Sequence, residues 1–259
     1  MKKRREMTMI AEYESLVKKI EEELPLIQDL IRNPMIKAPF WEDFEIRFCW
    51  SSNAIEGNTL SLDETIDFLL YDEVQSSHTY QEYTEEKNLY RTIQWYFPFS
   101  KEEITEDWTM CVNAMMRDKQ KGYRGKNVFI GTMTDAVFYP PDYKKVPELM
   151  KELSSEWNDL EGTLKEVLEK IAELHFRFER IHPFEDGNGR TGRMILNRQL
   201  INIGLLPIAL DKTSKYRRCF KVYEHKKDVS LLMRLICKSE LEAMQRVKEL
   251  QSKYEEAYS

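Results

Sequence analysis

Glycine and proline are scarce in this chain, nine of each in 259 residues, while Leu, Glu, Lys and Met are plentiful. That balance favours helix, because glycine and proline are the two residues that helix interiors tolerate least. Cysteine is rarer still. Cys49, Cys111, Cys219 and Cys237 form no CxxC pair, and His78, His175, His182 and His225 are not spaced with them as zinc ligands. Buried free thiols in a reducing compartment are expected instead. No run of eighteen apolar residues occurs, so no membrane span is expected. The basic start MKKRREMTMIAEYE is broken by Glu6 and Glu12 before any apolar stretch long enough for a signal peptide, and a cytoplasmic protein is the expectation. Excess positive charge is missing too. The net charge of −6 argues against bulk electrostatic capture of nucleic acid.

What remains is an ordinary globular composition, 42% hydrophobic and 12% aromatic, in a chain long enough for one large domain or two small ones. Apolar residues recur at helical spacing over most of it. Ile10, Tyr13, Leu16, Val17 and Ile20 make a stripe expected to end near Leu24-Pro25. Phe44, Phe48 and Ile55 share a face of a helix over about 41–57, stopped by Gly57-Asn58. Ser61 with Glu64 reads as a capping box opening the next helix. Further helices are expected over about 83–97, 103–118, from 146, and through EVLEKIAELHFRFERI. The exception is 128–139, where Val128, Phe129, Ile130 and Val137, Phe138, Tyr139 flank a polar turn before Pro140-Pro141, the pattern of a short hairpin. Leu231, Leu235, Leu241, Met244, Val247 and Leu250 suggest a C-terminal pair of helices. The fold class is all-α with one short β-hairpin. The segments divide as an N-terminal helical region (1–100), a core carrying the hairpin (101–227) and C-terminal helices packed on that core (228–259).

Three of the nine glycines fall in HPFEDGNGRTGR, residues 182–193. Pro183 cannot continue the preceding helix, and Phe184 is expected to plug into the core and so fix the direction of His182. Gly187 and Gly189 open backbone dihedrals closed to other residues, letting successive N–H groups point into one concavity. A helix expected to start at about Thr191 adds its positive dipole end. Arg190 and Arg193, three apart, place two guanidinium forks on that rim, and Asp186 offers a hard oxygen ligand. The combination suits a polyphosphate with a magnesium ion. It is not a Walker A loop, since the GxxxxGK[ST] order is absent.

The stretch resembles the signature of the Fic family, HPFx[D/E]GNGRxxR, at all nine specified positions: His182, Pro183, Phe184, Asp186, Gly187, Asn188, Gly189, Arg190 and Arg193. The preceding helix and the hairpin at 128–139 also sit where the family has its motif helix and its target-docking flap, so the likeness runs from about 40 to 236. The resemblance implies a Fic-type helical bundle that transfers AMP from ATP to a Tyr, Ser or Thr hydroxyl of a target protein. It implies His182 as general base, Asp186 on Mg²⁺ (or Mn²⁺), the amides around Gly187 and Gly189 with Asn188 at the α-phosphate, and Arg190 and Arg193 at the outer phosphates. Gly189 stands where phosphorylating relatives have a lysine, which favours AMP transfer. Tyr216, in YRRCF, falls near the family's adenine side, although Arg217 replaces an expected tyrosine. The resemblance further implies a protein target on the flap, self-modification and a homodimer.

A second motif, SSNAIEGN at 51–58, is similar to the family's inhibitory [S/T]xxxE[G/N], met by Ser52, Glu56 and Gly57. If Glu56 pairs with Arg193, that arginine is lost to the γ-phosphate. The same pocket serves two other readings: a hydrolase that removes AMP from modified protein, and a nucleotide-sensing protein without turnover. His175 is expected to be a packed core histidine, and the basic cluster Lys212, Lys215, Arg217, Arg218, Lys221, Lys226 and Lys227 a solvated face.

Overall fold

A computed structural model describes residues 2–97, 101–131, 138–210 and 213–258, with the side chains of 2–12 and 213 left aside. Among these residues ten α-helices follow one another: α1 (Lys2–Leu30), α2 (Pro34–Glu56), α3 (Leu62–Tyr71), α4 (Tyr80–Tyr96), α5 (Glu106–Arg117), α6 (Val146–Glu156), α7 (Leu164–Ile181), α8 (Asn188–Asn202), α9 (Thr213–Lys226) and α10 (Ser230–Tyr258). The fold is all-α, as expected. Ser61, Thr79 and Thr163 each open a helix with a complete capping box, the one at Ser61 and Glu64 as read from sequence.

Four boundaries differ from expectation. α1 runs straight through Pro25 to Leu30. The missing N–H costs a backbone bond, but Ile20 and Ile27, both buried, keep the helix packed along α10 on either side of it. α2 begins at Pro34, with Asn33 capping the Met35 N–H, and passes through Pro39. α8 starts at Asn188 rather than Thr191, because Gly187 takes the N-cap at φ 77°. The expected C-terminal pair is one helix, α10, since nothing between Leu235 and Leu241 breaks it.

Two hydrophobic cores share the bundle. One joins α1, α7, α8, α9 and α10 around Ile20, Phe176, Leu200 and Met244; the other joins α4, α5, α6, α7 and α8 around Phe48, Trp108, Phe178 and Phe184. Helix α2 contributes to both, with Ile36, Phe40 and Ile55 to the first and Phe44 and Phe48 to the second. It is therefore enclosed nearly all round, and its C-terminal end is fixed with little freedom. A Schellman turn closes it: Gly57 at φ 108° donates to the Ala54 carbonyl (3.2 Å) and Asn58 to that of Asn53 (3.1 Å). Of the expected hairpin, the described residues form one antiparallel bridge, Ile130 with Phe138, closed by two main-chain hydrogen bonds of 2.9 and 3.0 Å. Val137 and the turn at 132–137 lie outside the described residues, as does Lys212 of the basic cluster. Cys49, Cys111, Cys219 and Cys237 are free thiols, all but Cys111 buried. No helix among the described residues is long and apolar enough to cross a membrane.

Glu86 on α4 is fully enclosed, with Asn53 the polar side chain beside it, and burial pushes its carboxyl up to about 8. The folded chain thus holds a proton that the unfolded chain releases in the ordinary carboxylate range, so this group's contribution to stability is lost as pH rises from that range towards 8. Glu86→Gln, which cannot ionise, should raise the melting temperature at pH 8 and raise it less at pH 5, by about 2–4 °C for each kcal/mol recovered. An equal change at both pH values would contradict this account.

Candidate active site

The site forms where the C-terminal end of α2 meets the N-terminal end of α8, with the 182–187 loop beneath. His182 ends α7 in the left-handed conformation, φ 50° and ψ 61°, its N–H bonded to the Phe178 carbonyl at 3.0 Å. Histidine tolerates that region better than most residues, and it turns the chain abruptly into Pro183. Phe184 is buried at 1% exposure in the second core, as expected from sequence. The Asn188 side chain closes the loop from the other side: its amide accepts from the Phe184 N–H (2.8 Å) and donates to the Phe184 carbonyl (2.9 Å). Both ends of that amide are engaged by the loop, while the backbone N–H of Asn188 stays unbonded.

Starting α8 at Asn188 makes Asn188, Gly189 and Arg190 its first turn, where N–H groups have no helical acceptor. No other described residue accepts from these three N–H groups. Gly187 is a positional requirement: its φ is positive, and a Cβ there would meet Asn113 Nδ2 at 2.9 Å. Asn113 itself pins the loop by donating to the Asp186 carbonyl (3.0 Å) and to Thr191 Oγ1 (3.1 Å).

Two arginines complete the cradle. Arg193, 1% exposed, donates from Nε to Ser52 Oγ (2.8 Å) and from Nη2 to the Ser52 carbonyl (2.9 Å) and Glu56 Oε1 (2.7 Å). Arg190, 3% exposed, donates to Asn53 Oδ1 at 3.3 Å and stands 3.9 Å from both Glu85 and Asp186. Arg190 Nε and Arg193 Nη1 are buried without a hydrogen-bond partner. Buried guanidinium donors are costly to leave unmet, so the cradle is short of acceptors.

Glu56 supplies one acceptor from α2. Burial opposes its ionisation, but Arg193, then Arg190 and Arg217, outweigh burial and hold its carboxyl below the ordinary range. The pair with Arg193 therefore persists above that range and loosens only as pH falls through the lowered value. The carboxylate rests on Gly189, where an added Cβ would lie 2.2 Å from Glu56 Oε1.

Burial lowers the His182 imidazole to about 4; Arg124 adds to that, while the Glu179 carbonyl and Glu56 act against it. The ring is neutral at physiological pH, and its Nδ1 is buried without a partner. Beneath Arg193 lies a packed polar layer. His175 is buried, with Nδ1 to the Gly192 carbonyl (3.2 Å) and Nε2 to Tyr216 Oη (2.7 Å), a core histidine as expected. Tyr216 is also buried, its ring 5.5 Å from the Arg193 guanidinium and its hydroxyl committed to His175. It backs the arginine rather than facing the cleft.

Several residues at the site come from segments with no motif. Arg117, at the end of α5, pairs with the Asp186 carboxylate, whose Oδ1 also accepts from the Gly187 N–H (2.6 Å). A cavity of about 290 Å³ opens there, lined by Glu85, Arg117, Asp186 and Arg190 among others. The Asp186 side chain is 58% exposed, and no group of three metal-binding side chains occurs among the described residues. One accessible carboxylate beside a phosphate cradle fits a magnesium ion, which keeps most of its shell as phosphate and water.

Comparison with known proteins bears on residues 98–200 and on the fold. Residues 98–200 match the Fic/DOC family model. A probable protein adenylyltransferase of Aquifex aeolicus is 42% identical over 96 residues, 37% of this chain and 28% of that protein. Protein adenylyltransferase fic-1 of Caenorhabditis elegans is 27% identical over 172 residues, 63% of this chain and 33% of the relative. The match thus spans a third or less of these curated relatives. Among solved structures, a Fic domain containing signaling protein from Bacteroides thetaiotaomicron superposes with a TM-score of 0.78 at 22% identity, over 92% of this chain and 97% of the other. The structure of Fic-1 from C. elegans gives 0.76 at 23%, over 93% and 72%. At such identities the likeness speaks for the fold. Residues 98–200 thus carry a Fic domain, within a bundle that has the fold of that structure.

Proposed function

We propose that this protein transfers AMP from ATP to a hydroxyl side chain of a target protein and restrains itself through Glu56. The observation that carries the reading is the shortage of acceptors: three unbonded amides at the start of α8 and two buried arginines with unpartnered donors, all beside a neutral histidine. A triphosphate supplies the missing oxygens. In this reading the amides of Asn188, Gly189 and Arg190 take charge building on the α-phosphate, where one such donor is worth about 10²–10³ in rate. Arg190 and Arg193 grip the outer phosphates, and His182 removes the proton from the attacking Tyr, Ser or Thr. A new bond joins that oxygen to the α-phosphorus as the bond to the bridging oxygen breaks and pyrophosphate leaves. Asp186 would hold Mg²⁺, which when bound offsets negative charge on the phosphates.

Restraint follows from the Glu56–Arg193 bond. A charged hydrogen bond is worth about 1.5–3 kcal/mol, and the partly exposed Glu56 falls toward the lower end through solvent screening. That is enough to misplace the outer phosphate. The names of the curated relatives support the chemistry. Incubating purified Glu56→Gly with ATP labelled at either the α or the γ position, with self-modification as the readout, tests it. Protein should be labelled from the α position alone; label from the γ position would instead mean phosphoryl transfer.

A further inference from the structure

Arg124 lies outside both motifs, yet its side chain is 3% exposed and every nitrogen of its fork donates to a main-chain carbonyl. Nε reaches His182 (2.9 Å), Nη1 reaches Lys126 (2.9 Å) and Nη2 reaches Pro141 (2.5 Å). Its own N–H donates to the Pro183 carbonyl at 2.9 Å. The three side-chain acceptors belong to three places: the catalytic loop and the two arms, 126–130 and 138–141, that meet at the Ile130–Phe138 bridge. A planar guanidinium with fixed donor directions is suited to holding such points in one plane, which a lysine cannot do. The arms have a second tie that does not touch the loop: Asn127 donates to Asp142 Oδ2 (3.2 Å) and accepts from the Tyr143 N–H (2.8 Å).

We propose that Arg124 is a positioning residue for His182, locking the carbonyl of the general base to both arms of the segment on which the target docks. The inference rests on the AMP-transfer reading and adds to it a physical link between docking and catalysis. A target segment seated on the arms then meets an imidazole already aimed, and loosening the arms alone leaves His182 in place. The positive charge of Arg124 also faces the imidazole, together with Glu179 of α7 and Glu56 of α2.

Three variants in a Glu56→Gly background separate these roles. Arg124→Lys keeps the charge but not the fork; Arg124→Gln loses both; Asn127→Ala loosens the arms only. Both Arg124 variants should lower kcat by about 10- to 100-fold, the cost of a misplaced catalytic group, with the Kd for ATP unchanged. Asn127→Ala should raise the KM for target and leave kcat alone. Arg124→Gln, having removed a cation, should also shift the acidic limb of the pH profile upward, and the NMR titration midpoint of His182 with it, whereas Arg124→Lys should not. Wild-type kcat in both Arg124 variants, or an unmoved midpoint in Arg124→Gln, overturns the proposal. Should glutamine fail to fold, kcat of the lysine variant decides. The titration needs no turnover, so a Glu56→Gly parent that transfers nothing would count against the AMP-transfer reading while the midpoint still judges Arg124.

Discussion

Glu56→Gly should transfer AMP at least about 10-fold faster than the unaltered protein, the factor that one charged hydrogen bond of roughly 1.5 kcal/mol represents. Glu56 is the last residue of α2, and its carboxylate holds Arg193 at 2.7 Å while resting against the Gly189 backbone. Removing it frees the guanidinium for an outer phosphate. The fold should tolerate the change, because Ser52 still offers Arg193 a hydroxyl and a carbonyl. Glu56→Gln separates charge from shape: its amide oxygen can still accept from Arg193, but without charge, and transfer should fall between the two. Rates from α-labelled ATP, with a fixed amount of target or self-modification as readout, check the order. A glutamine variant as fast as glycine would mean that charge alone sustains the restraint.

Loss of His182 should have the larger effect. In a Glu56→Gly background, removing the imidazole should slow transfer by about 10²–10⁴, the usual worth of a positioned general base. ATP affinity should stay within about twofold, since no phosphate contact is assigned to the ring. The choice of substitution matters, because residue 182 sits at φ 50°. Alanine there carries roughly 1–2 kcal/mol of backbone strain, whereas asparagine enters the left-handed region readily. His182→Asn and His182→Ala should therefore lose activity equally while only alanine lowers thermal stability. Nucleotide binding lost along with activity would place His182 in the cradle instead.

How much of this was legible in the sequence depends on where each residue sits along the chain. The loop from His182 to Arg193 could be read because its parts are contiguous, and a glycine pair, a proline and two arginines restrict what twelve residues can do. Ser52, Glu56 and Gly57 were readable for the same reason, as a helix end with an acid on it. Arg117, Arg124, Asn113 and Glu85 were not readable, since each is an isolated residue on an unremarkable stretch and only the folded bundle brings it to the loop. Asn188 shows a subtler limit. Its identity was evident, but the turn of its amide back onto Phe184 depends on a helix that starts three residues before the periodicity suggested. Tyr216 is similar: its position in the chain pointed towards the nucleotide, whereas packing directs its hydroxyl to His175. Pro25 marked a helix end by local preference, and tertiary packing of α1 overrode it.

Competition between a carboxylate and a terminal phosphate for Arg193 is tested most directly by calorimetric titration of ATP and AMP into the unaltered protein and Glu56→Gly. ATP should bind the variant at least about 10-fold more tightly, while AMP, which has no outer phosphate to reach Arg193, should change by less than about twofold. An equal gain for both nucleotides, or none for either, would contradict it.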